Sequence, residues 1–514
     1  MKLPVYKDKV RACFLGKNIG GTLGMPFECR RGLFDVSYYT HDINGEPLPN
    51  DDLDLQLVWL NAVERFGRGV NAQALGEYWL SYITPSWCEY GAAKNNMRMG
   101  LNPPLSGYIN NLNRDSCGAF IRSELWACLA PGHPEIAVKY AYEDAIVDHS
   151  YEGVYAEIFT AAIQSSAFVE GDRDKLIEIG LSYIPEDSGV YRAVRHVVDA
   201  YKSGKDWKKV REEILADFPS TFGLMCPDDG NGNTEVSIPE TRIGYDTPCN
   251  IALMVLGLVY GEGDFGNSIC IAASCGEDAD CTAATLGALL GIIGGTDSID
   301  KKWADPIGDK IATISINMGD HDCDIPKTVT ELTDRIIALV PSFLGHKYYK
   351  WDDNSGELSL LLLDNDNLMN RDRRRGPFDK WNFLEKLKMQ PFGQVYDSPI
   401  FTASLLCSDA PYISADGEIE YTLKLENKFL SQQFLSLRWF LPEEFEAVPA
   451  QYSSISLEQY HGNVGKAECR FKIKAPQVLR EPKYDLVLEI SANARHTKLY
   501  IPVTLLNMKK PEYD

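Results

Sequence analysis

The spacing of apolar residues changes once along this chain, and that change calls for two different kinds of domain. From about residue 8 to residue 345 apolar side chains recur every three or four positions, as in Leu53 to Phe66, Ala72 to Ile83, Pro134 to Val147, Val154 to Val169 and Cys249 to Tyr260, the period of an amphipathic helix. After about residue 396 they alternate instead. FTASLLCS, EIEYTLKLENKF, QFLSLRWFLP, SISLEQY, AECRFKIKAP, YDLVLEISAN and KLYIPVTLLN read as about seven short strands with turn signals between them, the pattern of an immunoglobulin-like β-sandwich. Between the two textures the periodicity stops and charge rises, through WDDNSGEL, DNDN and RDRRRG. The expected organisation is multidomain: a large all-α domain over residues 1–350, a connecting segment over 351–395 and a small β-sandwich over 396–514.

The 514 residues allow about three domains, with a core that needs no disulfide or metal staple. Lys plus Arg number 51 and Asp plus Glu 73, a net charge of −22, so the chain repels nucleic-acid backbones and anionic lipid surfaces. Neither nucleic acid nor membrane is an expected partner; a small anionic ligand still is, because a metal ion or a helix N-terminus reverses the potential locally. The longest membrane-like run, Thr282 to Gly295, is shorter than the roughly 18–20 residues a span requires. Thirteen cysteines without tight CxxC pairs, and a start without the apolar run of a signal peptide, point to reduced thiols and a cytoplasmic location.

Three segments of the helical region carry candidate chemistry. Asn50, Asp51, Asp52 and Asp54 open the helix that runs through LDLQLVWLNAVERF; an Asn cap with acids against the helix dipole explains them, and so does a cluster of carboxylates that a divalent cation relieves of mutual repulsion. Asp278 and Asp280 bracket one alanine in SCGEDADCT; a solvated turn with a helix cap explains them, and so does convergence on one hard cation, because the small apolar runs on both sides point to a buried turn, where unpaired carboxylates are costly. The glycine-rich start, GKNIGGTLGMPFE, has neither the ending of a Walker A loop nor a preceding strand; it reads as a helix whose small residues admit a close neighbour, ending at Pro26 with Glu28 just beyond. His149 reads first as a helix-capping or core-satisfied histidine and second as a site residue, and Asp246 as a helix start or a cleft edge.

Taken in order, GGTLGMPFE, NDD, CGAFIRSELWACLAPG, DHSYEGVYAEIFTAAI and GDFGNSICIAASCGEDADCTAATLGALLGIIGG resemble the ADP-ribosylglycohydrolase family over roughly residues 8 to 340. The resemblance implies an all-helical fold with two Mg²⁺ ions in a cleft and a glycoside hydrolase activity on an ADP-ribosyl or related furanosyl bond. Carried over by position, it implies Asn50, Asp51, Asp52, Asp278, Asp280 and Cys281 or Thr282 as metal ligands. Glu28 becomes the acid/base or water-positioning residue, with Asp52 and Asp280 in the catalytic set, and His149, Gly118 and Asp246 line the substrate cleft. Three residues depart from the family pattern: Asn50 stands where threonine is usual, Cys281 in place of the late threonine, and Gly21 where an aspartate is common. A thiol is a poor ligand for magnesium. The expected partner is a small-molecule or protein-linked ADP-ribosyl or sugar substrate, with self-association left open. The alternative is a protein that binds a sugar or nucleotide in the same cleft without cleaving it.

Overall fold

The structure, a computed structural model, describes residues 1–218, 244–317, 323–352, 357–369, 393–398, 400–428, 431–458, 465–496 and 498–508. Its contacts divide the chain into two compact units, one of Met1–Lys94 with Asn110–Leu387 and one of Asn95–Ile109 with Lys388–Asp514.

The first unit is helical. Its centre is a pair of helices, Leu3–Gly24 and Ala279–Gly294, whose backbones approach closely. The contact runs along glycines four residues apart: a Cβ on Gly16 would lie 2.1 Å from the Gly287 carbonyl oxygen, one on Gly20 2.1 Å from that of Ala283, and one on Gly24 2.3 Å from that of Ala279. Residues four apart form one ridge of a helix, and a ridge without side chains lets the partner's backbone sit in the groove. The apolar run that is too short for a membrane is therefore a core helix, buried from Ala279 to Ile292. Among the described residues no helix is long and apolar enough to cross a membrane, and no two described cysteines are joined in a disulfide.

Part of the segment expected to connect the domains is structured. Tyr349–Asp352 and Glu357–Leu360 pair as an antiparallel ribbon, and Met1 donates its amino group to the Leu360 carbonyl at 2.6 Å. High charge without helical period suited a short solvated ribbon as well as a linker. Residues 370–392 of that segment lie outside the described residues.

The second unit is a β-sandwich of two five-stranded sheets. One has the order Glu446–Val448, Lys466–Lys474, Glu418–Asn427, Phe401–Cys407, Gly393–Asp397; the other Tyr452–Leu457, Gln433–Phe440, Lys483–Ala492, Lys498–Asn507, Tyr412–Ile413. All pairs are antiparallel except the last. Inward residues of both sheets form one core around Trp439, whose ring meets Tyr421 and Phe471 of the facing sheet. The seven strands expected from alternation are present; Gly393–Asp397, Tyr412–Ile413 and Glu446–Val448 are additional and too short to show a period. Asn95–Ile109, which the sequence places in the helical domain, belongs to this unit, where Leu101, Leu105 and Ile109 pack with Leu506.

Candidate metal centre

The site is built where the glycine-packed helices end. After Gly24 the chain makes one 3-10 turn, Met25–Phe27, and reaches Glu28. Arg30–Arg31 then pairs antiparallel with Gly276–Glu277, and the Cys29 amide donates to the Glu277 carbonyl at 3.0 Å, so a two-residue ribbon ties Glu28 to the turn that carries Asp278. Glu277 holds a positive φ of 61°, a costly conformation for a glutamate. A bidentate pair with Arg31 (2.9 and 3.1 Å) and the Gly244 amide (3.0 Å) fix it there. Asp278 precedes the buried helix and Asp280 lies in its first turn.

Asn50 caps the helix Asp51–Phe66, accepting from the Asp52 amide at 2.8 Å, and its amide nitrogen donates to Asp280 Oδ2 at 3.0 Å. The cap and the acidic cluster are thus one device. Two groups of donors result, Glu28 with Asp278 and Asp280, and Asp52 with Asp280 and Cys281; within each group the ligand atoms lie within 4.8 Å of one another. Asp280 belongs to both.

Burial makes this cluster a poor place for bare carboxylates. Asp278 is 1% exposed and Asp280 3%; Oδ1 of Asp280 is buried without a hydrogen-bond partner among the described residues, and the oxygens of Asp278 meet only the weakly donating thiols of Cys117 and Cys281 among the described residues. Leaving such groups unpaired costs several kcal/mol, roughly, and native structures rarely do so. Desolvation first, then neighbouring carboxylates, push Asp278 and Asp280 well above the usual carboxylate range, with Asp280 acting on Asp278, and Glu28, Asp52 and Asp51 on Asp280. For the same two reasons Glu28 is raised to about 9 and Asp51 to about 6. The poorly satisfied oxygens and the all-oxygen donor set of Glu28, Asp278 and Asp280 fit a hard divalent cation. The thiol of Cys281, donating to Asp52 Oδ1 at 3.2 Å, fits magnesium poorly.

Asp51 falls outside the two groups and accepts from the Tyr90 hydroxyl at 2.9 Å. Thr282 donates its hydroxyl to the Ala279 carbonyl of its own helix at 3.1 Å, which leaves its oxygen lone pairs for a cation, and Asn50 bonds Asp52 through its amide oxygen and Asp280 through its nitrogen. His149 is completely buried: Nδ1 lies 2.9 Å from Asp148 Oδ1, Nε2 3.3 Å from Ser116 Oγ and 3.9 Å from Glu89 Oε1. The ring lies between Asp148 and Glu89. A Cβ on Gly118 would lie 2.3 Å from Glu89 Oε1, the end of that side chain, and 3.2 Å from the His149 ring, which places Gly118 against both. Asp246 is buried at the start of the helix Thr247–Tyr260, whose Asn250 accepts from the Asp278 amide at 3.2 Å.

Sequence reasoning misses Lys17. It is fully buried, with Nζ 3.3 Å from Asp52 Oδ2 and 3.3 Å from Glu124 Oε1. Burial works against the ammonium, but Asp52 and Glu124 outweigh it and raise its pKa. A lysine in the middle of a glycine-rich core helix was the available signal, since such a residue needs a buried anion.

The sign of the pH dependence follows from these shifts. Unfolded carboxyls titrate near 4, roughly, whereas folded Glu28 and Asp51 hold their protons up to about 9 and about 6. The metal-free fold therefore binds more protons than the unfolded chain over this window and loses stability as pH rises from about 4 to about 9. A divalent cation competes with those protons, so its stabilisation grows with pH; at about a hundredfold excess over Kd it adds about 2.7 kcal/mol. Thermal unfolding at pH 5, 7 and 9 with and without Mg²⁺ checks this. Equal Mg²⁺ effects at all three values contradict it.

A family model described as ADP-ribosylglycohydrolase matches residues 2–341. No curated protein matches the chain. Similar solved structures include a FixG-related protein from Vibrio parahaemolyticus (16% identity, 21% of this chain and 98% of that one, TM-score 0.18) and a family 123 glycoside hydrolase from Clostridium perfringens (14%, 20% and 23%, 0.15). The GAE domain of GGA2p from Saccharomyces cerevisiae is another (14%, 23% and 99%, 0.15). Scores this low assign no function.

Proposed function

Because the chain belongs to the ADP-ribosylglycohydrolase family, we propose that it is a Mg²⁺-dependent hydrolase of an ADP-ribosyl or related ribosyl or furanosyl glycosidic bond. The observation that carries this reading is the pair of buried donor groups joined by Asp280. Bound cations would supply the positive charge that holds the vicinal hydroxyls of a furanose and makes a water nucleophilic. The chain's own residues do the rest. Asp278, Asp280 and Asp52 fix the ligand positions from two helix N-termini, and Lys17 faces Asp52 Oδ2 at 3.3 Å. Glu28, with its raised pKa, carries a proton in the metal-free site; beside a bound cation it becomes the base or anchor for the attacking water as the anomeric carbon gains positive charge. His149 and Gly118, packed against Glu89, and Asp246 would line the substrate side of the site.

Incubation with Mg²⁺ and a panel of ADP-ribosylated proteins, nucleosides and furanosides is expected to release product, and a chelator is expected to stop it. Failure on the whole panel contradicts the reading. The departures at Asn50 and Cys281 favour a second reading, capture of a sugar or nucleotide without cleavage; calorimetric binding with no product over hours supports that one instead. The sandwich is assigned a structural or oligomerisation role.

A further inference from the structure

We infer that the two donor groups are not equivalent and that the one formed by Asp52, Asp280 and Cys281 is a thiolate-bearing subsite for a borderline cation such as Zn²⁺ or Co²⁺. This rests on the reading of the cluster as a metal centre. Three observations carry it. The thiol of Cys281 is directed at Asp52, 3.2 Å from Oδ1, and its sulfur lies with the Asp52 and Asp280 oxygens inside a 4.8 Å group. Asp280 Oδ1 is buried without a hydrogen-bond partner among the described residues, so the subsite contains an orphaned ligand atom in a side chain only 3% exposed.

The third is Lys17, whose ammonium lies 3.3 Å from Asp52 Oδ2 and 3.3 Å from Glu124 Oε1 and so holds Asp52 by the oxygen that Cys281 does not contact.

The other group offers Glu28, Asp278 and the shared Asp280, oxygen donors throughout, which suit Mg²⁺. Sulfur at one subsite selects against Mg²⁺ there, because a hard, strongly hydrated ion gains little from a soft ligand, whereas Zn²⁺ and Co²⁺ accept thiolate readily. On coordination the Cys281 thiol gives its proton to solvent and a metal–sulfur bond forms; no redox change is involved. A centre with one hard and one borderline position, joined by Asp280, follows.

Titration of the metal-free full chain with Co²⁺ tests this by absorption. The expected result is a sulfur-to-cobalt charge-transfer band in the near ultraviolet that saturates at one Co²⁺ per chain and survives excess Mg²⁺. Cys281→Thr and Cys281→Ser are expected to lose the band and to weaken Zn²⁺ binding by roughly tenfold or more, while Mg²⁺ binding persists. Persistent Mg²⁺ binding also shows that the variants are folded. Absence of the band in the native chain, its displacement by Mg²⁺, or its persistence in both variants overturns the inference. The outcomes separate it from the hydrolase reading: Mg²⁺-dependent turnover without the band refutes only the thiolate subsite, and the band without turnover upholds the subsite and refutes only the hydrolase.

Discussion

Replacing Asp280 by asparagine is expected to lower turnover by about a thousandfold while making the metal-free protein harder to unfold. Asp280 is the residue common to both donor groups, so its loss removes one anionic ligand from each. Losing about 4 kcal/mol of cation-mediated charge stabilisation corresponds to roughly a thousandfold in rate. Stability moves the other way because the carboxylate is buried among Glu28, Asp52 and Asp51, all of which oppose its ionisation. A neutral amide of the same shape relieves that repulsion by on the order of 1–3 kcal/mol and can still accept from Asn50. Steady-state kinetics with excess Mg²⁺ and thermal unfolding in chelator check the two halves. Full activity in the variant, or a lower melting temperature without metal, contradicts the assignment. A buried residue kept only for the fold would lose stability and leave no such reversal.

Gly20→Ala is expected to destabilise the helical unit by about 3 kcal/mol or more, although in an isolated helix alanine is better than glycine by about 1 kcal/mol. The added Cβ would sit 2.1 Å from the Ala283 carbonyl oxygen and 2.7 Å from Ala284 Cα. Both are backbone atoms of the buried partner helix and cannot swing aside, so the helices must separate. Asp280 lies one turn before Ala283, and separation would pull it from Glu28 and weaken Mg²⁺ binding as well. Gly69→Ala, with nothing within 4 Å of its added carbon, is the control and is expected to change stability by less than about 0.5 kcal/mol. Denaturant unfolding of the two variants decides the point. If Gly20→Ala is as stable as the parent, close packing is not what positions the centre.

These two residues show which features are readable from order along the chain and which need the fold. Alternation in Glu418–Asn427 encodes a burial pattern that is local, so the strand is legible, and likewise the helix Asp51–Phe66 with its Asn50 cap. The glycines at 16, 20 and 24 announce a close neighbour but not which one; Gly287 and Gly291 are 260 or more residues away. Lys17 reads as an ordinary lysine until Asp52 and Glu124 surround it. Arg31 and Glu277 are likewise unremarkable apart, and only the ribbon between Arg30–Arg31 and Gly276–Glu277 shows why Glu28 reaches Asp278. Position-by-position transfer from a family names Asn50 and Thr282 by residue type and order; that Asn50 joins Asp52 to Asp280 and that Thr282 bonds Ala279 is visible only in the fold. Asn95–Ile109 escaped notice for a related reason: its apolar residues have helical spacing, and what they pack against, Leu506, lies far along the chain.

Diffraction from crystals of the full chain soaked in Mn²⁺, a hard ion with a strong anomalous signal, tests the convergence of these carboxylates most directly. A peak bonded to the carboxylates of Asp278 and Asp280, with Glu28 beside it, is the expected result. A map with Mn²⁺ bound only elsewhere, or with the side chains of Asp278 and Asp280 turned apart and no ion between them, contradicts it.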